Sequence, residues 1–213
     1  NSRVVISTNT ISLQEQLVQK DIPALIAVLQ NEPGIHLEQF RHAVLKGKSN
    51  YLCLQRASHF AASETLATAE AKALAKIMVW LHSTHSGDRT ELNLGFRDWG
   101  IWDRLSATKF AECAGALKQP CFLRDARAKA AAAHIIVVNH ALLLSHLAGT
   151  GGSALPSYDL LVIDEAHHLE GEATRQFGFQ ISQKAVEDLM DQMHWALGNL
   201  LKTLRGPNVS VPR

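Results

Sequence analysis

The chain has 213 residues, 46% of them hydrophobic and 19% charged, which is ordinary for one large globular domain or two small ones. Its formal net charge of +1 excludes a global basic field, so any nucleic-acid binding needs a local surface. No apolar run approaches the roughly 20 residues of a membrane span, and we expect no membrane partner. Three cysteines, an odd number, argue against a disulfide framework and favour a reducing cytoplasm.

The N-terminal segment predicts a strand that leads into a helix. An apolar run starts at Val4 and ends at three polar residues that can cap a helix, Thr8, Asn9 and Thr10. Apolar residues then recur at helical spacing until Pro23, where we expect the helix to break. Because the strand hands over to a helix N-terminus here, the polar residues suit an anion as well as simple capping. The chain starts with Asn rather than Met, and we expect it to be a piece of a longer protein.

A possible phosphate loop at Gly47-Lys48-Ser49 is rejected. The loop needs a second glycine five positions before Gly47, and that position is His42. We also expect no strand to lead into it. The complete loop pattern occurs nowhere else in the sequence.

The middle of the chain predicts helices. Apolar residues from residue 63 to residue 82 follow helical spacing, and an alanine-rich run starts at Ala126. Another short apolar strand starts at Ile135, and a glycine-rich loop occupies residues 149–153. Near the C-terminus, helical spacing from residue 186 to residue 204 predicts a long helix.

Two adjacent acids follow the strongest strand signal of the chain. Four apolar residues, Leu160–Ile163, run directly into Asp164 and Glu165, and His167 comes two positions later. An unbroken apolar run predicts a strand buried on both faces, which places the acids at the sheet edge where ligand crevices form. One carboxylate there can hold Mg²⁺ through its water shell, and the other can orient the water that attacks a terminal phosphate. The alternative is a strand followed by a solvated acidic helix start.

Adjacent His167 and His168 raise the possibility of zinc. The spacing of Glu165, His167 and His168 matches no helical two-histidine metal pattern, so we do not expect a zinc site here.

Five separated stretches resemble the DinG/XPD branch of the superfamily 2 DEAH-box DNA helicases, in the order of that family. They include the wording STNT near the N-terminus, KGKSNYLC, VVNHALLL and DEAH. The stretches are residues 4–23, 46–53, 80–92, 121–144 and 160–170.

The resemblance implies a fold and a domain order. It implies an α/β RecA-like motor domain, a parallel sheet with helices on both faces, of the P-loop NTPase fold without its P-loop segment. That domain would comprise residues 1–44 and 124–180, with a mostly helical insertion at 45–123 that is equivalent to an iron–sulfur domain. Residues 181–213 would begin a helical arch domain. The phosphate loop and the second motor domain of the same chain would lie outside these residues.

The resemblance also implies roles for individual residues. In an ATP-dependent DNA helicase that uses ATP and Mg²⁺, Asp164 would hold the metal through water and Glu165 would be the catalytic base. His167 would link the nucleotide to motion. Four residues would lie near the backbone of single-stranded DNA: Thr8, Asn9, Thr10 and Gln14. On this interpretation the parent protein acts in DNA repair or replication, and the piece alone is inactive.

Two alternatives stay open: an inactive helicase-like scaffold that binds DNA or protein, and part of an exonuclease–helicase fusion. The family places a [4Fe–4S] cluster in the insertion, where Cys53, Cys113 and Cys121 match three of its four ligands. A four-iron cluster normally needs four thiolates, so either another side chain supplies the fourth ligand or the cluster is lost. An incomplete soft-ligand set favours loss.

Overall fold

The computed structural model describes most of the chain: residues 2–35, 37–62, 67–95, 98–108, 120–149 and 155–178, with residues 190 and 193. The chain divides into two compact units, Asn1–Gln176 and Phe177–Arg213. The fold below is that of the first unit. The domain boundaries expected from the sequence, at residues 45, 124 and 181, stay predictions.

A four-stranded, all-parallel sheet lies at the centre of the unit. Its strands are β1 (Val4–Thr8), β2 (His42–Val44), β3 (Ile135–Asn139) and β4 (Leu160–Ile163), in the order β2-β3-β1-β4. Because all four run in parallel, their carboxyl ends meet at one edge of the sheet. This confirms the expected α/β fold of the RecA-like type.

Eight α-helices are described around the sheet and in the segment between β2 and β3. They are α1 (Ile11–Gln16), α2 (Ile22–Leu29), α3 (Leu54–Ala61), α4 (Thr68–Leu81), α5 (Trp99–Leu105), α6 (Phe122–Ala131), α7 (His140–Leu147) and α8 (Leu169–Phe177). Short 3₁₀ turns occupy Lys48–Asn50, Arg89–Glu91 and Ala166–His168.

The expectation that the first helix breaks at Pro23 is wrong. A π-helical turn, Leu17–Asp21, joins α1 to α2 without interruption, and Pro23 lies in the first turn of α2. Proline is tolerated there because the first N–H groups of a helix have no intrahelical acceptor.

The core of the sheet is strand β3. Three consecutive residues, Ile136, Val137 and Val138, are fully buried, so both faces of this strand are covered. On one face Ile136 and Val138 join a cluster with residues of α6 and α7, such as Ala130 and Leu143. The sequence-based expectation of helices on both faces is met at this strand.

Strand β4 corrects the expectation that its apolar run is buried on both faces. It lies at the edge of the described sheet, bonded only to β1, and all four of its side chains are exposed, from Ile163 at 37% to Leu160 at 59%. An apolar run indicates a strand that tolerates burial, but neighbours in the fold decide how much of it is covered.

The expectation that no strand precedes Gly47-Lys48-Ser49 is also wrong, because β2 ends at Val44, just before it. The stretch itself leads into a 3₁₀ turn and then extended backbone at Tyr51, and not into the helix N-terminus that cradles phosphate. The structure therefore also argues against a phosphate loop at this stretch.

A second core lies in the segment between β2 and β3. Trp102 of α5 is fully buried, and its indole N–H donates to the carbonyl of Ser49 at 2.7 Å. Helices α3, α4 and α5 pack around it through buried residues such as Phe60, Leu74 and Ile77. The helix predicted over residues 63–82 is α4, and residues 63–66 lie outside the described residues.

Gly87 closes the turn after α4 and gives the first testable prediction. Its φ of +64° is in the left-handed region, and an added Cβ would lie 2.2 Å from the ring of Phe122. We expect Gly87→Ala to combine the left-handed cost of about 1–2 kcal/mol with an overpacking cost of about 1–3 kcal/mol. Urea denaturation of the chain would measure it.

Gly149→Ala is the matched control for this prediction. Gly149 has a nearly identical φ of +69°, but a Cβ added there would meet nothing within 4 Å. Gly149→Ala should therefore lower the free energy of unfolding only by the cost of the left-handed backbone, about 1–2 kcal/mol. Equal losses of stability in the two variants would contradict the contact with Phe122.

Several expectations fall on residues that the structure does not describe. The glycine-rich loop beyond residue 149, nearly all of the long helix over 186–204, and Cys113 lie outside the described residues. Among the residues that are described, no helix is both long and apolar enough to cross a bilayer.

Candidate active site

The two acids and the Thr8–Thr10 turn meet at the carboxyl edge of the sheet. Ile163 is in register with Ser7, and the backbone N–H of Asp164 donates to the Ser7 carbonyl at 2.8 Å. The acidic turn that starts at Asp164 therefore lies beside Thr8, the last residue of β1. Both acids are exposed and therefore accessible to a ligand.

The DEAH residues form a tight turn. Glu165 has φ +52°, in the left-handed region that costs a non-glycine residue about 1–2 kcal/mol. Its N–H donates to Oδ1 of Asp164 at 3.0 Å, which orients that carboxylate, and the 3₁₀ turn Ala166–His168 comes directly after it. His167 Nε2 lies 3.4 Å from Glu165 Oε2. Strained backbone of this kind is common at active sites.

Of the four residues expected near DNA, two are accessible to solvent and two are buried. Thr10 is exposed and caps α1, accepting the N–H of Leu13 at 3.2 Å, and Asn9 is partly exposed. Thr8 and Gln14 are fully buried.

Gln14 has a structural role inside the protein, and its expected place near the DNA backbone stays a prediction. Its amide donates to the carbonyls of Leu45 and Val137 at 3.5 and 3.4 Å, so it ties α1 to the residue after β2 and to the middle of β3. Thr8 instead donates to the carbonyl of Thr10 at 3.2 Å within the turn.

A buried pair behind the acids was not predicted. Ser7 Oγ lies 2.7 Å from Nδ1 of His140, the first residue of α7, and both side chains are fully buried. Since the carbonyl of Ser7 accepts the N–H of Asp164, this pair fixes the strand residue to which the acidic turn is attached. The only sequence signal was the histidine of VVNHALLL, which in isolation indicates a structural residue.

A second missed feature is the ion cluster around Lys46. The side chain of Lys46 is 3% exposed, and its Nζ lies 2.8 Å from Glu15 Oε1 and 2.6 Å from Asp88 Oδ2. It also donates to the hydroxyl of Thr90 at 3.0 Å. The cluster joins α1, which carries the capped Thr10 turn, to the segment between β2 and β3.

The electrostatics of this cluster shift two pKa values. Burial alone would raise the pKa of Glu15. Hydrogen bonds from Lys46 and Thr90, together with the charge of Lys46, outweigh burial and bring the pKa below its usual 4.5. Burial raises the pKa of Tyr51 to about 12, although the N–H of Lys46 donates to its oxygen and opposes this. Lys46 therefore pairs with two carboxylates, and Tyr51 stays neutral beside them.

A cavity of about 280 Å³ opens at the same edge of the sheet, next to β2 and β3. Its lining includes the cationic side chains of Lys48 and Arg127, with the polar side chains of Ser49, Asn139 and Ser145. Positive and hydrogen-bonding groups in this arrangement suit a phosphate group.

The described cysteines do not make a complete iron–sulfur site. Cys53 and Cys121 are free and partly buried beside the small apolar cluster of Tyr51, Ala107 and Leu123. They supply two thiolates, and the sequence holds only one more cysteine, so the chain lacks the four that such a cluster takes. The loss of the cluster stays a prediction.

Comparison with known proteins identifies the family. No protein-family model matches the chain. It is 35% identical over 189 residues to the ATP-dependent helicase DinG of Mycobacterium tuberculosis, an alignment that covers 80% of this chain and 28% of that protein. It is 31% identical over 210 residues to the ATP-dependent DNA helicase YoaA of Haemophilus influenzae, covering 95% of this chain and 32% of that protein. The chain belongs to the DinG/YoaA helicase family.

The DinG/YoaA relatives are much longer than this chain, which spans 28–32% of the length of those two. One further relative carries a different name. The 3'-5' exonuclease DinG of Bacillus subtilis is 32% identical over 176 residues, covering 82% of this chain and 18% of that protein. The resemblance read from the five sequence stretches is thus confirmed at the level of the family.

Proposed function

We propose that this chain is part of the first motor domain of an ATP-dependent DNA helicase that translocates on or unwinds DNA. The observation that carries the proposal is the 2.8 Å bond between Asp164 and Ser7, which brings the acidic turn to the Thr8–Thr10 turn. In parallel α/β sheets this edge is where ligands bind. The names of the DinG and YoaA relatives support the same activity in the parent protein.

In this proposal each residue of the acidic turn has its own task. Asp164, oriented by the Glu165 N–H, holds Mg²⁺ through water, since hard cations prefer carboxylate oxygens. Glu165 accepts the proton of the attacking water. His167, 3.4 Å from Glu165, links the nucleotide at that carboxylate to movement of the DNA-binding segments. When bound, ATP would supply the phosphoryl group and Mg²⁺ would neutralise the charge of the phosphates.

The DNA path in this proposal runs along the carboxyl edge of the sheet. Thr10 and Asn9 offer exposed polar groups at one point of it. The cavity with Lys48 and Arg127 offers cationic groups at another. Such contacts fix backbone position without reading sequence, which suits a motor that moves along single-stranded DNA of any sequence.

The test compares the full-length parent with the present chain. We expect the parent to hydrolyse ATP faster in the presence of single-stranded DNA, and the 213-residue chain to show no hydrolysis. The reason is that catalysis of phosphoryl transfer needs a cradle for the β- and γ-phosphates, and the pattern for it is absent from this sequence. Turnover by the purified chain that disappears in Glu165→Gln would contradict the second expectation.

The alternatives make different predictions in the same assay. A helicase-like scaffold would bind DNA while the parent showed no DNA-stimulated hydrolysis. The Bacillus subtilis relative favours the exonuclease fusion as a second candidate. In that case nuclease activity should survive Asp164→Asn with Glu165→Gln, because its metal ligands would lie in another domain.

A further inference from the structure

We propose that the DEAH turn of this chain is also a binding site for Zn²⁺, formed by Glu165, His167 and His168. One ligand atom from each of the three residues lies within 4.8 Å of the other two. Nitrogen and carboxylate oxygen are ligands that zinc binds well, and three protein ligands with an open fourth position are typical of accessible zinc sites. No such site was expected from the sequence.

The backbone of the turn explains why sequence spacing missed this cluster. The expectation assumed α-helical spacing, in which two histidine ligands are three or four residues apart. The segment is instead a left-handed Glu165 followed by the 3₁₀ turn Ala166–His168. The N–H of His168 donates to the carbonyl of Glu165 at 2.9 Å, which closes the turn and brings those two residues together.

The distance between the His167 and Glu165 ligand atoms already suits zinc. Zinc–nitrogen and zinc–oxygen bonds of about 2.0–2.1 Å in a tetrahedron place neighbouring ligand atoms about 3.3 Å apart. His167 Nε2 and Glu165 Oε2 are already 3.4 Å apart. The imidazole rings of His167 and His168 have centroids 4.0 Å apart, so both can turn a nitrogen towards one ion.

The chemistry of the ligands separates this site from that of magnesium. Mg²⁺ prefers an octahedron of oxygens and keeps much of its water, whereas two imidazoles select zinc or a similar transition metal. Zinc would occupy the Glu165 carboxylate, which is the base of the proposed function. Zinc should then inhibit ATP hydrolysis, and this second consequence alone rests on the proposed function.

The binding experiment is a calorimetric titration of the purified 213-residue chain with Zn²⁺ in excess Mg²⁺. We expect one tight site, and we expect His168→Gln to weaken it by at least about tenfold, since loss of outer partners alone costs that much. His82→Gln is the matched control, because His82 is another exposed histidine, at the end of α4. It should leave the affinity unchanged.

Three outcomes would overturn the proposal: no stoichiometric binding, equal affinity in the chain and His168→Gln, or equal weakening by His82→Gln. A titration with Co²⁺ adds a spectroscopic check. Visible bands without a thiolate charge-transfer band place the ion on nitrogen and oxygen ligands and support the site. A thiolate band assigns the binding to cysteines and overturns it.

The inhibition experiment separates this proposal from the proposed function. In the full-length parent, Zn²⁺ should suppress ATP hydrolysis, and His168→Gln should relieve the suppression without changing the rate in Mg²⁺ alone. If the parent does not hydrolyse ATP, the proposed function fails while the calorimetric result still decides the zinc site. If zinc binds through His168 and hydrolysis is unaffected, the inhibitory consequence is wrong.

Discussion

Replacement of Glu165 by Gln in the full-length parent is expected to lower the rate of ATP hydrolysis by about 10²–10⁴-fold, the usual contribution of a general base. Glutamine keeps the size and the hydrogen-bonding oxygen of the side chain but cannot accept the proton of the attacking water. Because Asp164 keeps its bond to Ser7, the metal ligand stays in place and nucleotide binding should change little. Steady-state hydrolysis and equilibrium binding of a labelled nucleotide measure the two quantities separately.

Glu170→Gln is the matched control for Glu165→Gln. It makes the same chemical change at an exposed position of the first turn of α8, five residues further along the chain. Its rate should equal that of the unchanged protein. If Glu165→Gln retained more than about a tenth of the activity, a general-base role for this residue would be refuted.

The position of the acidic turn could be predicted from the sequence because it depends on a short-range pattern and a general rule. An apolar run that ends in two acids places them at the end of a strand, and parallel strands share their carboxyl edge. The rule needed no knowledge of the partner strand. The structure then supplied the partner, β1, through the bond from Asp164 to Ser7.

Burial was much less predictable, since it depends on which other elements reach a residue. Leu160–Ile163 is as apolar as β3, yet β4 is exposed and β3 is covered on both faces. Gln14 shows the reverse. This polar side chain, which was expected near the DNA backbone, turns inward and donates to the carbonyls of Leu45 and Val137.

Backbone conformation limited the prediction at the DEAH turn. Motif spacing is read on the assumption of regular α-helix or strand, and the left-handed Glu165 followed by a 3₁₀ turn obeys neither periodicity. Only the folded backbone shows that Glu165 and His168 share a face.

The burial of Lys46 could not be predicted from the sequence, because a lysine after a short strand is normally exposed to solvent. The structure buries it between Glu15 and Asp88, which come from separate parts of the chain. We expect Lys46→Met to lower the free energy of unfolding by about 3–5 kcal/mol, because methionine fills the space but leaves two carboxylates without their cation. Urea denaturation of the chain at neutral pH would measure the loss.

The matched control is Lys76→Met. Lys76 also pairs with a carboxylate, Asp98 at 3.3 Å, but its side chain is 59% exposed. Exposed pairs contribute only about 0–1 kcal/mol, so the same substitution should have little effect there. Equal losses in the two variants would show that burial does not strengthen the Lys46 cluster.

The pH dependence gives an independent check on the same cluster. The pKa of Glu15 is lowered on folding, so its contribution to stability is present above its usual value of 4.5 and is lost as the pH falls through the lower folded value. Lys46→Met removes the cation that lowers this pKa. The difference in unfolding free energy between the unchanged chain and Lys46→Met should therefore shrink below pH 4.5, as the Glu15 carboxyl of the variant becomes neutral. The cluster joins α1 to the segment between β2 and β3. A difference that stayed constant with pH would mean that packing of the Lys46 side chain, and not its charge pairing, stabilises the contact between these two parts.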